Sequence, residues 1–259
     1  MKQVLMFTSL KGGVGKTTAA SAIAFALSFF GKKVLCADLD FGVRGLDLAL
    51  GAENACAADV LEVIQGGYDP LAEAILVREN LYFLPAPALF NTREAGVVTS
   101  EELSAFLARA KSEFDFVLLD LPAGGGELFL PLAKSPEMTG AIVVSTAESA
   151  ALRAAEQTAF EIRSASSISV KLIINRVPLK TKSPRSLFDS ARAAALPVLG
   201  VIPEDPVISE AYDAGVAPTR LPQTPSAQAY WNISSRMLGA HVPLFTDVVS
   251  SRRRKRLCR

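Results

Sequence analysis

Apolar runs rich in valine, isoleucine and leucine alternate along the chain with segments whose apolar residues recur at helical spacing. The strand-like runs, each bounded by Gly, Pro, Asp or Asn, are QVLMFTS, KKVLCADLD, ENLYFLPA, FDFVLLDLP, GAIVVST, VKLIINR and PVLGVIPE. Helical spacing is found in residues 17–30, 100–113, 150–164 and 186–195. This alternation predicts an α/β fold, with a mostly parallel β-sheet flanked by helices on both faces.

The length and composition limit the classes of protein to which the chain can belong. With 259 residues, of which 50% are hydrophobic and 20% charged, it can bury one complete core. It contains no internal repeat and no long glycine- and serine-rich linker. We therefore predict one domain over residues 1–240, followed by a basic tail over residues 241–259. A run of about 18 apolar residues and a signal-peptide pattern are both missing, which predicts a cytoplasmic protein.

The charged residues and cysteines are unevenly distributed. The net charge is +1, but the last eight residues, RRRKRLCR, carry six basic side chains and no acid. Taking these six from the 27 basic residues leaves 21 against 26 acidic ones, so the domain and its tail are expected to face different partners. The three cysteines lie far apart and the chain has a single histidine, so neither a zinc nor an iron–sulfur site is predicted.

The stretch SLKGGVGKTT, residues 9–18, follows the first predicted strand and opens the first predicted helix. Its glycines let consecutive backbone N–H groups point at phosphate oxygens, and the helix N-terminus adds partial positive charge. Lys16 is then expected at the β- and γ-phosphates, and the Thr17 hydroxyl is expected to bind Mg²⁺. The nucleotide-binding residues predicted in this loop are Gly12, Gly13, Val14, Gly15, Lys16, Thr17 and Thr18.

One position of this loop departs from the usual phosphate-binding pattern, which has a glycine where this chain has Leu10, followed by Lys11. The run KGGVGKTT resembles the deviant Walker A loop of the MinD/ParA family of P-loop ATPases. The resemblance implies that Lys11 reaches the nucleotide held by a second subunit, as an arginine finger supplied in trans does. It also implies an ATP-dependent homodimer in which Lys11, Lys16 and Asp40 are catalytic.

Two other strand ends carry acidic residues. The second predicted strand ends in CADLDFG, in which Asp38 and Asp40 point the same way if the strand continues. By resemblance, Asp40 positions or activates the attacking water and Asp38 lies near the metal; the alternative is that both only form a turn. DFVLLDLPAG has the shape of a Walker B strand, so Asp120 is expected to hold Mg²⁺ through water beside Thr17. Residues 122–126 would form the switch loop that follows.

The last two predicted strands end in LIINR and GVIPED, which resemble the base-binding segments of the family. The resemblance implies adenine contacts from Asn175 and from the loop residues Pro203, Glu204 and Asp205. An alternative role for Asn175 is to cap a turn. The predicted cofactors are therefore ATP and Mg²⁺.

Within the family, the chain resembles the MinD branch through the segments FGVRGLDLALG, DVLEVIQGG, ENLYFLPAP, DLPAG and GVIPED. This implies Mg²⁺-dependent ATP hydrolysis stimulated by dimerisation and by a partner, and peripheral attachment to the inner face of the cell membrane in the ATP-bound state. It also implies a role in placing the division site. The implied partners are a MinC-like division inhibitor and a MinE-like or other topological regulator.

The basic tail leaves its partner open. Apolar residues from Leu244 to Val249 share a helical face, which the arginine-rich stretch then interrupts, so shallow binding to an anionic membrane surface is one interpretation. The same charges suit DNA, as in a ParA-like partition ATPase that binds DNA without sequence preference. A solvated tail without a partner is the third interpretation. A metal-cluster carrier of the same superfamily is disfavoured because the chain has no CxxC pair.

Overall fold

A computed structural model of the chain describes residues 2–53, 58–88, 98–178, 196–216 and 224–244. Its strands are β1 (Gln3–Thr8), β2 (Val34–Asp38), β3 (Ile75–Arg78), β4 (Leu81–Leu84), β5 (Phe116–Asp120), β6 (Gly140–Thr146), β7 (Ser169–Val177) and β8 (Val198–Pro203). Its helices are α1 (Lys16–Phe29), α2 (Leu46–Leu50), α3 (Val60–Gly66), α4 (Pro70–Glu73), α5 (Ser100–Glu113), α6 (Phe129–Lys134), α7 (Ser149–Ala165), α8 (Val207–Asp213) and α9 (Pro225–Met237).

The described strands form one sheet in the order β3-β4-β2-β5-β1-β6-β7-β8. Every neighbouring pair is parallel except β3 and β4, which are antiparallel. The predicted α/β fold with a mostly parallel sheet is confirmed. Because parallel strands end at the same edge, the ends of β1, β2 and β5 lie together there: Phe7 is in register with Asp120, and Asp38 is also in register with Asp120.

Helices cover both faces of the sheet, because successive side chains of each strand point to opposite faces. On β1, Val4 and Met6 belong to one hydrophobic cluster, which contains buried residues of α3, α5, α6 and α7. Leu5 and Phe7 belong to a second cluster, which contains buried residues of α1 and α9. The two clusters are the two cores of a three-layer arrangement in which the sheet is buried between helices.

The helices predicted from spacing at residues 17–30, 100–113 and 150–164 correspond to α1, α5 and α7. The helix predicted at residues 186–195 lies outside the described residues, as does the tail from residue 245 onward. The edge strand β3, the helix α9 and the short helices were not among the sequence predictions. None of the helices in the described ranges is long and apolar enough to cross a membrane.

The strand β8 packs closely on α9 at Gly200. A Cβ atom at this position would lie 2.2 Å from Cγ1 and 2.6 Å from Cδ1 of Ile233, which is fully buried. We predict that Gly200→Ala lowers the free energy of unfolding by about 1–3 kcal/mol, because the added methyl group overpacks the contact. Urea unfolding followed by circular dichroism measures this.

The matched control is the same substitution in an Ile233→Ala background, which removes both clashing atoms. Gly200→Ala should cost clearly less there, since the two substitutions act on one contact. An equal cost in both backgrounds would contradict the overpacking explanation.

Candidate functional site

Residues 9–15 connect the end of β1 to the start of α1, as the sequence predicted for the phosphate-binding loop. Gly13 and Gly15 have φ angles of +72° and +88°, a backbone conformation that residues with a Cβ rarely adopt. Gly15 is the N-cap of α1, so the free backbone N–H groups of the first helical turn face the loop. Val14 is 3% exposed and belongs to the core cluster that contains Ile23 of α1. The loop is therefore fixed to the core beneath it.

Two adjoining cavities surround this loop. The first, here called the loop chamber, has a volume of about 450 Å³ and is lined by Ser9, Gly12, Gly13, Val14, Gly15, Lys16, Thr17, Thr18, Asp40, Val43, Ala123, Arg176 and Ile208. The second, the β8 chamber, has about 530 Å³ and is lined by Gly15, Thr18, Asn175, Arg176, Ile202, Pro203, Glu204, Asp205, Pro206, Ile208 and Tyr230. Cavities of this size are typical of small-molecule sites.

Nearly all of the predicted nucleotide-binding residues line one of these chambers. The residues predicted around the phosphates, from Gly12 to Thr18, line the loop chamber together with Asp40. Those predicted around the base, Asn175 and residues 203–205, line the β8 chamber. The two chambers share four lining residues, two of them from the loop and α1. The structure thus brings together two groups that are more than 150 residues apart in the sequence.

A buried ion pair lies below the loop. Lys16 Nζ donates a hydrogen bond to Asp120 Oδ1 at 2.8 Å, and the two side chains are 8% and 1% exposed. Burial raises the pKa of the Asp120 carboxyl, while Lys16 and the nearby Thr17 hydroxyl lower it. An ammonium group has three donors, so two N–H groups of Lys16 remain for phosphate oxygens. The lysine predicted at the phosphates is therefore held at the edge of the loop chamber by the acid predicted to bind the metal.

The same carboxylate fits a role at a magnesium ion. Its second oxygen, Asp120 Oδ2, is buried and has no hydrogen-bond partner among the described residues. A buried acceptor without a partner is costly and rare in folded proteins. Mg²⁺ prefers oxygen ligands and keeps several waters, so a carboxylate and the Thr17 hydroxyl match its chemistry. In the described part of the chain, no group of three or more His, Cys, Asp or Glu side chains could hold a metal ion by itself.

The two acids after β2 have different environments. β2 ends at Asp38, so the condition under which Asp38 and Asp40 would point the same way is not met. Asp38 is 1% exposed, and its two oxygens accept hydrogen bonds from the backbone N–H groups of Asp40 at 2.9 Å and Leu46 at 3.1 Å. Asp40 alone of the two lines the loop chamber. Asp38 therefore fixes the backbone at Asp40 by a hydrogen bond. The predicted position of Asp38 near a bound metal stays a prediction.

Two polar residues of the β8 chamber, Asn175 and Asp205, also make hydrogen bonds within the protein. Asn175 Nδ2 donates to the Val14 carbonyl at 2.8 Å. Asp205 Oδ1 accepts from the backbone N–H of Val207, and its Oδ2 accepts from the Ser226 hydroxyl at 2.7 Å. Asp205 thereby fixes its loop to the start of α9. Adenine contacts from Asn175 and Asp205 stay predictions.

Lys11 lies apart from the other loop residues and lines neither chamber. Its Nζ pairs with Glu148 Oε2 at 2.6 Å, and the two side chains are 50% and 67% exposed. Lys11 lowers the pKa of the Glu148 carboxyl through this hydrogen bond and its charge. Glu148 is the N-cap residue of α7, but its side chain makes no capping bond. The lysine predicted to act in a second subunit is thus at the surface and paired within its own chain.

Several residues of the site were missed by the sequence predictions. Arg176, which lines both chambers, has a φ of +54°, which is uncommon for a residue with a Cβ and typical of functional or strained positions. Ile208 also lines both chambers, and Tyr230 lines the β8 chamber from α9. Arg176 directly follows Asn175 and could have been suspected from that position. Ile208 and Tyr230 carry no signal in the sequence, because ordinary core residues have the same composition and spacing.

The environment of Asp38 predicts a pH dependence of stability. Burial, and next the charge of Asp120, raise the pKa of Asp38 from 3.8 to about 7. The folded protein then binds a proton between about pH 4 and pH 7 that the unfolded chain has released. The resulting stabilisation is complete below pH 4 and is lost as the pH rises through 7. The free energy of unfolding of the ligand-free protein should fall across this range, by at most about 4 kcal/mol.

Urea unfolding at pH 5 and pH 8 in the presence of a chelator measures the part of this fall above pH 5, at most about 3 kcal/mol. Asp38→Asn should reduce the fall, although the variant loses one acceptor and is less stable overall. Asp69→Asn is the control that should keep it, because this exposed acid is not among the groups that shift the pKa of Asp38. If Asp38→Asn shows the same fall as the parent, the titrating group is not Asp38.

Comparison with known proteins gives consistent relatives over nearly the whole chain. A sequence profile named ParA, described as NUBPL iron-transfer P-loop NTPase, matches residues 1–238. The septum site-determining protein MinD of Bacillus subtilis (strain 168) is 30% identical over 251 residues, which are 94% of this chain and 92% of that protein.

Two solved structures are also similar. A chain of the MinC:MinD cell division protein complex of Aquifex aeolicus superposes with a TM-score of 0.83 at 28% identity, covering 93% of this chain and 98% of that one. The septum site-determining protein MinD complexed with Mg-ADP from Pyrococcus horikoshii OT3 gives a TM-score of 0.77 at 26% identity, covering 93% and 100%. The loop that precedes α1 borders both chambers, which together are called the groove from here on. With this site and a profile match over residues 1–238, the chain belongs to the MinD/ParA family of P-loop ATPases.

Proposed function

We propose that the protein is an ATP-dependent dimerising ATPase switch of the MinD type, which places the cell-division site through reversible membrane attachment and recruitment of a division inhibitor. The observation that carries this proposal is the loop chamber, in which Lys16, Thr17 and Asp40 converge beside the buried Asp120. The identity of about 30% with MinD over 94% of the chain supports it.

The residues of the loop chamber have distinct roles in this proposal. The N–H groups of the loop and of the first turn of α1 bind phosphate oxygens, and Lys16 neutralises charge on the β- and γ-phosphates. Thr17 and Asp120 would hold Mg²⁺, which would supply further stabilisation of the phosphate charge. Asp40, which lines the same chamber, orients the attacking water. Its backbone is fixed by Asp38, so its carboxylate is placed before the nucleotide arrives.

Lys11 completes the site from a second subunit in this proposal. An exposed ion pair such as Lys11–Glu148 contributes little to stability, so Lys11 can exchange Glu148 for phosphate oxygens at little cost. A cation delivered in trans to the transferring phosphoryl group makes hydrolysis depend on dimerisation. Nucleotide hydrolysis and dimer assembly would then be coupled.

Alanine substitution of the two loop lysines should impair different steps. Lys16→Ala should weaken ATP binding, because it removes a charge from the β- and γ-phosphates and leaves Asp120 buried without its partner. Lys11→Ala should keep ATP binding in one subunit but lose ATP-dependent dimerisation and hydrolysis. Titration with a fluorescent ATP analogue, and size-exclusion chromatography in ATP and in ADP, measure these effects.

Lys111→Ala is the control, because it removes a partly exposed ion pair, Lys111–Glu137 at 3.0 Å, whose two residues line neither chamber. It should behave as the parent protein does. Equal losses of ATP binding in Lys11→Ala and Lys16→Ala would contradict the role of Lys11 in trans.

The proposed protein partners are a MinC-like division inhibitor and a MinE-like or other regulator that stimulates hydrolysis. The similar chain from Aquifex aeolicus comes from a MinC:MinD complex, which supports the first of these. The inner face of the cell membrane is the proposed location of the ATP-bound dimer, which would act there as a peripheral protein.

The basic tail is the proposed membrane-binding segment. Its six basic residues, at about 1 kcal/mol each near an anionic surface, give at most about 6 kcal/mol, or a dissociation constant on the order of tens of micromolar. One tail is therefore marginal, whereas two tails on a dimer gain avidity without a new contact. The same charges favour a second candidate function, a ParA-like partition ATPase that binds DNA without sequence preference.

Co-sedimentation with vesicles distinguishes the two functions. We expect the parent protein to bind anionic vesicles in ATP and not in ADP, to ignore neutral vesicles, and to dissociate as salt is added. A variant with the six basic residues of positions 252–259 replaced by glutamine keeps the tail length and should lose binding. If the parent ignores anionic vesicles and instead shifts duplex DNA in ATP, the partition function replaces the one proposed.

A further inference from the structure

Asn175, near the end of β7, is hydrogen-bonded to the protein backbone at both ends of its carboxamide. The residue is 6% exposed. Its Nδ2 donates to the Val14 carbonyl at 2.8 Å, and its Oδ1 accepts from the backbone N–H of Arg176 at 2.9 Å. A flipped carboxamide would place oxygen against oxygen and N–H against N–H, so these partners fix its orientation. Asn175 therefore faces the phosphate-binding loop with its donor end.

The loop passes directly against this donor. A Cβ atom at Gly15 would lie 2.3 Å from Asn175 Nδ2, and the φ of +88° also favours glycine there. The Val14 side chain is buried in the core cluster. The core thus holds Val14 by its side chain, and Asn175 holds it by its carbonyl.

The hydrogen bond to Val14 determines which way one peptide unit of the loop faces. The described chain has no cis peptide bond, so the Val14–Gly15 peptide is trans, and its C=O and N–H point in opposite directions. Holding the Val14 carbonyl on Asn175 keeps the Gly15 N–H on the side away from β7. If this peptide turned over, a carbonyl dipole would take the place of an N–H group in a loop that must bind anions.

We propose that Asn175 is a positioning residue of the phosphate-binding loop, which acts on the phosphate part of a bound nucleotide whatever its base. The proposal rests on ATP binding by the loop chamber, and it differs from the adenine contact predicted from the sequence. The base end of the groove has its own support, since Asp205 accepts a hydrogen bond from the fully buried Ser226. Asn175 and Ser226 are thus two buried polar residues that support opposite ends of the groove.

Isothermal titration calorimetry with ATP, GTP and inorganic tripolyphosphate, each with Mg²⁺, tests this proposal. Tripolyphosphate has no base, so it reports on the loop alone. Asn175→Ala should weaken binding of ATP and tripolyphosphate by the same factor, about tenfold, and leave the ratio of ATP to GTP affinity unchanged. The matched control, Ser226→Ala, should change ATP binding or the ATP-to-GTP ratio and leave tripolyphosphate binding as in the parent.

Thermal unfolding of each ligand-free variant shows whether it is folded. If Asn175→Ala is not folded, Asn175→Thr replaces it, because threonine suits a strand but is too short to reach Val14. The same equal loss of ATP and tripolyphosphate binding is expected for that variant. Weaker ATP binding or an altered ATP-to-GTP ratio with unchanged tripolyphosphate binding would make Asn175 a base contact and overturn the proposal, and so would unchanged binding of all three. A parent protein that binds neither ATP nor tripolyphosphate overturns the proposed function, and this inference with it.

Discussion

The ion pair between Lys16 and Asp120 is the interaction on which the rest of the site depends. Two buried charges are tolerated inside a protein only when they are paired, so the start of α1 and the end of β5 are held together. Asp120 in turn lies in register with Phe7 of β1 and Asp38 of β2. The parallel sheet therefore places the loop, the ion pair and both acidic strand ends at one edge, where a nucleotide-sized groove is open.

Three polar residues of the site that were predicted from the sequence to lie against the ligand or its metal make hydrogen bonds within the protein. Asp38 accepts the N–H of Asp40, Asn175 donates to Val14, and Asp205 accepts from Ser226. The physical reason is that buried polar groups need hydrogen-bond partners whether or not a ligand is bound. A residue at the groove can consequently be essential without touching the nucleotide, because it fixes the backbone that does.

Exposed groups at the same edge are free of this requirement. Lys11 and Glu148 are paired at the surface, with side chains that are 50% and 67% exposed. Water can therefore replace either partner. The site therefore combines a rigid, buried part that any single subunit possesses with an exposed lysine that can change partner. This division is what the proposed switch requires, in which one subunit binds the nucleotide and hydrolysis needs two.

The sequence by itself determined the α/β class, the strands that form the sheet core, α1, α5 and α7, and the loop from Gly12 to Thr18, because hydrophobic periodicity and glycine spacing are local properties. It did not determine the edge strand β3 or the short helices, whose few residues carry weak periodicity. It also did not determine the 13-residue helix α9, whose buried residues include the polar Ser226, Asn232 and Ser234. Only the tertiary structure decided that β2 ends at Asp38, that Arg176 and Ile208 line both chambers, and that Asn175 holds Val14. Such contacts join residues up to 161 positions apart, and the spacing of residues along a chain carries no information about which of them the folded sheet will bring together.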